Sequence, residues 1–146
     1  MDARLRDQLV RIYAEATTIA VVGASGDPSK PAHRIPRYLQ RQGYRILPVN
    51  PRGGELLGEK VARSLAELDE PVDVVEVFRP AAEAPGIARE AVEIGAKVLW
   101  LQLGIESQEA KQVAEAAGLT VVMDRCMGEL HAELGLGPGP GRARGR

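Results

Sequence analysis

Gly23 and Gly26 stand three residues apart directly behind an apolar run, in the stretch TTIAVVGASGDPSK that spans Thr17 to Lys30. A tight turn after a strand lets backbone N–H groups and a following helix terminus face an anion, so this G-x-x-G pair is the first candidate for phosphate chemistry. Gly23, Ala24 and Ser25 would form the turn, and Lys30 and Arg34 follow it as cations suited to the same anion. A glycine that only closes a strand-to-helix turn leaves the same trace, and the loop running to His33 is long for a dinucleotide turn. The second candidate is Asn50-Pro51-Arg52. Nicotinamide enzymes commonly carry Asp or Glu at the corresponding strand end to bind a ribose diol, whereas the planar donors of Arg52 suit phosphate oxygens. A 2′-phosphate, as in NADP, and a 3′-phosphate, as in coenzyme A, both fit that reading.

Cys126 is the third candidate. It follows Arg125 at the end of an apolar segment and opens an amphipathic one, a position in which a reactive thiol would sit; a lone cysteine is more often a small buried hydrophobe. His33 lies near Ser25 and Asp27, but no G-x-S-x-G elbow is present to make a nucleophile of either serine in that loop. His131, within ELHAEL, reads as a structural residue on a helix, and Trp100 as core. Two separated histidines and one cysteine make no metal cluster, so no metal site is expected.

These residues need elements to position them. Leu5, Leu9, Ile12 and Ala16 recur at helical spacing in a leading helix. TIAVVGA follows as a strand apolar on both faces, the mark of a covered parallel sheet. RIPRYLQRQ reads as a helix with Pro36 in its first turn and Gly43 at its end. YRILPVNP is the second strand, and after it come a glycine-rich loop, a short strand at Lys60–Ala62 and a short helix at Ser64–Leu68. VDVVEVF, AKVLWLQLG and LTVVMD are further strands, separated by the helices EAPGIAREAVEI and SQEAKQVAEAA, the second capped by Ser107. Alternation of this kind gives an α/β fold, a Rossmann-like open parallel sheet of about five strands flanked by helices. Ligands in such sheets bind beyond the carboxyl ends of the strands. The single domain is expected to run over residues 1–134; residues 135–146, rich in Gly, Pro and Arg, are expected to be a disordered tail.

Composition narrows the partners. Nineteen basic residues against 20 acidic ones, with only one Trp, three Tyr and one Phe, argue against a nucleic-acid partner. No apolar run approaches the roughly 20 residues that span a bilayer, and the single cysteine suits a reducing interior, so no membrane partner and a cytoplasmic location are expected. The charged helix faces are most simply solvated, and leave room for a homo-oligomer or a protein partner.

VVGASGDPSK, GYRILPVNP, GEKVARSLAELDEPVDVVEVFRP, AVEIGAKVLWLQLGI and VVMDRC together resemble the small stand-alone coenzyme A-binding proteins, and are similar to the N-terminal domain of the succinyl-CoA synthetase α subunit. The resemblance covers about Thr17 to Glu129. It implies that the ligand is coenzyme A or an acyl-CoA and that the protein is a carrier, sensor or subunit rather than a complete synthetase. The alternatives are an NADP-linked oxidoreductase and a CoA-dependent thiol enzyme using Cys126. By position, the resemblance sets Gly23, Ala24 and Ser25 against the CoA phosphates and aligns Asn50, Pro51 and Arg52 with a segment near the nucleotide. It lines the adenine and pantetheine path with Phe78, Arg79 and Pro80, and makes Gln102 and Gly104 the next wall; Arg125 and Cys126 are expected on the same ligand edge because they follow the last strand. Where the small proteins often read Asp-Arg-Cys-Pro, this chain has Met127 after the cysteine.

Overall fold

Residues of even and odd number along each main strand are both apolar, so both faces of the sheet need a cover, and helices supply it on each side. The computed structural model describes residues 1–139. Its strands are β1 (Thr18–Val22), β2 (Arg45–Val49), β3 (Glu55–Leu56), β4 (Glu59–Lys60), β5 (Val74–Val77), β6 (Val98–Leu101) and β7 (Thr120–Val122). Its helices are α1 (Ala3–Glu15), α2 (Pro31–Gln42), α3 (Ala84–Glu93), α4 (Gln108–Ala116) and α5 (Met127–Glu133). Five strands form one parallel sheet in the order β2-β1-β5-β6-β7, the Rossmann-like arrangement expected from the alternation of elements.

On one face Ile19, Val21, Val74 and Trp100 pack with Leu9, Ile12 and Tyr13 of α1, Leu39 of α2 and Met127 and Leu130 of α5. On the other, Ala20, Val75, Val77, Leu99 and Leu101 meet Ala84, Ala88 and Ala91 of α3 and Ala110 and Ala114 of α4. The alanine stripe lets those two helices lie close on the strands. Trp100 is fully buried, and its indole N–H donates to the Arg125 carbonyl at 2.8 Å, as a buried indole requires. Leu136, just beyond α5, is buried in the same layer as α1. Residues 140–146, most of the expected tail, lie outside the described residues.

The region between β2 and β5 differs from the sequence-based expectation. In place of a single strand over 60–62, β3 and β4 pair as an antiparallel hairpin whose turn residues Leu57 and Gly58 both have positive φ, 52° and 78°, and Ala62 only bridges to Val49. A two-residue connection with both residues left-handed matches the twist of its strands, which outweighs the cost of a leucine there. The expected helix at Ser64–Leu68 is a 3₁₀ turn over Leu65–Glu67.

Three polar residues are buried among the described residues: Glu76, Gln102 and His131. Glu76, in the central strand, is fully buried between Val21 and Trp100 in register, and neither carboxyl oxygen has a hydrogen-bond partner among the described residues. Burial pushes its carboxyl up to about 8, so the group is held as the neutral acid at pH 7. His131 is buried against the ring edges of Tyr13, Tyr38 and Tyr44, with Nδ1 2.8 Å from the Tyr38 hydroxyl. Burial holds its imidazole below the ordinary value.

Candidate functional site

The order of the sheet reverses direction between β1 and β5: β2 lies outside β1 on one side, while β6 and β7 extend from β5 on the other. A ligand crevice is expected at that reversal, outside the carboxyl ends of the strands. A cleft of about 710 Å³ lies there, walled by the residues that follow β1, β2 and β5. Its size suits a cofactor.

The turn after β1 is pinned from several directions. Gly23 has φ 90°, and a Cβ on it would lie 2.8 Å from the Phe78 carbonyl oxygen, so only glycine fits. Its N–H donates to Val49 at the end of β2. The Asn50 side-chain amide donates to the Ala24 carbonyl at 2.8 Å, while its oxygen accepts the Arg52 N–H at 2.8 Å. Ser25 gives its N–H to the Ala32 carbonyl and sets its own carbonyl 2.8 Å from His33 Nδ1.

Pro36 explains why Ala32 can accept that bond. The helix α2 starts at Pro31, earlier than the expected start at Arg34, and so leaves Pro36 in its interior rather than in its first turn. Proline has no N–H to give the carbonyl four residues back, which here is Ala32. The freed carbonyl takes the Ser25 amide at 3.2 Å instead, and the turn is tied to the helix. Pro31 fills the first helical position, where a missing N–H costs nothing.

What the turn leaves unpaired is as informative. The amides of Ala24, Gly26 and Ala32 donate to no acceptor among the described residues, and all three residues line the cleft. Ala32 lies in the first turn of α2, whose N-cap Lys30 supplies no side-chain bond, so the positive end of a three-turn helix also borders the cleft. Lining cations are Lys30, Arg52, Arg63 and Arg79, against Glu83 and Glu90. Lys30 and Arg52 form no close ion pair among the described residues, although the Ser29 hydrogen bonds, helped by the nearby Lys30, hold Asp27 below the usual carboxylate range. Arg63 lies against Gly53 and donates to the Pro51 carbonyl at 3.4 Å. Arg79 is paired with Glu83, which holds the arginine charged and keeps the glutamate below the usual carboxylate range.

Of the residues singled out in the sequence, Gly23, Ala24, Ser25, Lys30, Asn50, Pro51, Arg52, Phe78 and Arg79 line this one cleft. Arg34 lies instead in an outer groove with Arg37 and Arg41 and donates to the Ser29 carbonyl. Gln102 is buried and accepts the Met127 amide at 3.0 Å, which fixes the start of α5. Gly104 donates to Asp124 at 2.7 Å, tying the loops after β6 and β7 together. Cys126 is half-buried as the N-cap of α5. None of Gln102, Gly104, Arg125 and Cys126 lines the cleft. Sequence reasoning missed Arg63, Ser64, Glu83 and Glu90. The first two reach the cleft through the bridge of Ala62 to Val49, a pairing that no local pattern announces. Among the described residues no His, Cys, Asp or Glu group is placed to hold a metal, and no helix is long and apolar enough to cross a membrane.

Comparison with known proteins identifies the family of this chain. Residues 17–132 match the family model described as a CoA binding domain. The uncharacterised protein YneT of Bacillus subtilis is 42% identical over 125 residues, covering 86% of this chain and 93% of YneT. The α subunit of the ADP-forming acetate–CoA ligase I of Pyrococcus furiosus is 33% identical over 107 residues, 65% of this chain, which spans only 23% of that subunit. Among solved structures, cell-free ID.343 from Thermus thermophilus superposes with a TM-score of 0.83 at 44% identity, covering 92% of this chain and 99% of that one. With four-fifths of its length inside the family model and a near full-length relative above 40% identity, this chain belongs to the CoA-binding domain family.

Proposed function

We propose that the cleft holds coenzyme A or an acyl-CoA, and that the protein acts as a carrier, sensor or subunit for it. The observation that carries this reading is the set of unpaired amides of Ala24, Gly26 and Ala32 in one cleft with the cations Lys30 and Arg52. Unmade hydrogen bonds at the positive end of a helix suit a pyrophosphate, and Arg52 suits the further ribose phosphate. Phe78, with the stem of Arg79, offers apolar surface for the adenine and pantetheine path. Asn50 braces the turn from behind, with both ends of its side-chain amide engaged by backbone. The similarity to an acetate–CoA ligase subunit supports an acyl-CoA as ligand, while the ligase reaction itself draws on a subunit of which this chain spans 23%.

Calorimetric titration and thermal unfolding with CoA, dephospho-CoA and NADP at equal concentration test the reading. CoA is expected to bind, and at a hundredfold excess over Kd to stabilise the fold by about 2.7 kcal/mol. Dephospho-CoA should bind about tenfold more weakly through loss of the Arg52 contact. Preference for NADP, or no shift at millimolar CoA, would overturn it.

A further inference from the structure

Arg79 does not reach freely into the cleft. Its stem lies on Gly23: a Cβ at that glycine would stand 2.9 Å from Arg79 Cδ and 3.2 Å from Cγ. Its head is engaged by a carboxylate in fork geometry, Nε donating to Glu83 Oε1 at 3.1 Å and Nη2 to Oε2 at 2.7 Å. The glutamate closes the 3₁₀ turn Ala81–Glu83, four residues after the arginine. Both side chains line the cleft, and each is 46% exposed. The protein has therefore folded an arginine over the turn that carries the unpaired amides, and has filled its two parallel donors with an anion of its own.

We infer that Glu83 is a stand-in for a ligand phosphate: an incoming phosphate group exchanges with it on the Arg79 fork, and Glu83 thereby sets which anions the cleft accepts. This rests on the reading of the cleft as a CoA site. Guanidinium donors match the paired oxygens of a phosphate as well as those of a carboxylate, so the Arg79 fork loses no donor geometry in the exchange. The exchange is thus favourable for a ligand that is already anchored on the amides of Ala24, Gly26 and Ala32, and unfavourable for an anion with no second anchor. Inorganic pyrophosphate meets the same amides but lacks the adenine and pantetheine groups, so displacing the carboxylate weighs more in its binding than in that of CoA, whose remaining groups are held along the cleft. The pair is half-exposed and screened by solvent, so a bound ligand can open it.

The test is titration of the full chain with inorganic pyrophosphate and with CoA, for the wild type, Glu83→Gln and Arg79→Gln. Glu83→Gln removes the competing charge and leaves the arginine. It should bind pyrophosphate about fivefold tighter and CoA about two- to threefold tighter, narrowing the preference for CoA. Arg79→Gln should weaken both. Because both side chains are half-exposed, each variant is expected to unfold cooperatively within a few degrees of the wild type, which documents the fold. Equal or weaker pyrophosphate and CoA binding by Glu83→Gln would overturn the exchange, since the glutamate would then be holding Arg79 in place for the ligand. Failure of the wild type to bind CoA would overturn the CoA reading instead, while the pyrophosphate titrations still decide the exchange.

Discussion

A side chain at position 23 meets the Phe78 carbonyl at 2.8 Å on one side and the stem of Arg79 at 2.9 Å on the other, with the backbone already at φ 90°. Gly23→Ala is therefore expected to cost about 1–3 kcal/mol from backbone strain, with a further loss from the displaced arginine. Urea unfolding measures the first effect, and CoA titration at low temperature the second; a wild-type midpoint would show that the turn relaxes without strain. At this scale the sequence was partly legible. Residues following β1, β2 and β5 were readable as cleft residues, because a strand tip in an open α/β sheet is a defined place. Gln102, Gly104, Arg125 and Cys126 also follow strand tips, yet β6 and β7 lie beyond the reversal in strand order, and there Gln102 and the Arg125 carbonyl support α5 and Trp100. Strand order is set by long-range pairing, which no short window of residues expresses.

The elements carry two consequences of single residues. Pro36→Ala restores an N–H opposite the Ala32 carbonyl, which now accepts the Ser25 amide at 3.2 Å. Competition for that carbonyl should loosen the turn and weaken CoA binding about threefold, while Tm does not fall, since a helix-interior proline is removed. A lower Tm with unchanged affinity would refute this account of the proline. Glu76 acts on stability through pH. Its folded value of about 8 stands above the ordinary 4.5, so its contribution is fully present below about pH 4.5 and is lost as pH rises through 8. At pH 7 ionisation of the unfolded chain withdraws roughly 3 kcal/mol. Glu76→Met, similar in volume, is expected to stabilise the fold by about that amount at pH 7 and to flatten the stability profile between pH 5 and 8. A profile unchanged in slope would mean that another group titrates there. Hydrophobic periodicity gave the helices and main strands, but it was silent on a glutamate inside VVEV: the alternation there is that of a strand apolar on both faces, and nothing local distinguishes a buried acid from an exposed one.

For the whole molecule, the fold was legible because every level agreed: apolar strands, amphipathic helices and glycine stops at Gly43, Gly95 and Gly118, each of which has positive φ. The β3–β4 hairpin escaped because its strands are two residues each, too short for periodicity to register. The two sheet faces are covered differently, by large side chains on the α1, α2 and α5 side and by alanines on the α3 and α4 side. The N-terminus of α2 stands beside the switch in strand order because α2 follows β1, one of the two strands that flank it, whereas β6 and β7 lie beyond β5. Most of the proposed binding rests on the amides of Ala24, Gly26 and Ala32 receiving the phosphates of the ligand. A ¹H–¹⁵N correlation titration with CoA tests it most directly. The largest downfield amide shifts are expected at those three residues, with Gly104 and Arg125 unmoved. Saturating CoA that shifts Gly104, Arg125 and Cys126 and leaves the three cleft amides in place would contradict it.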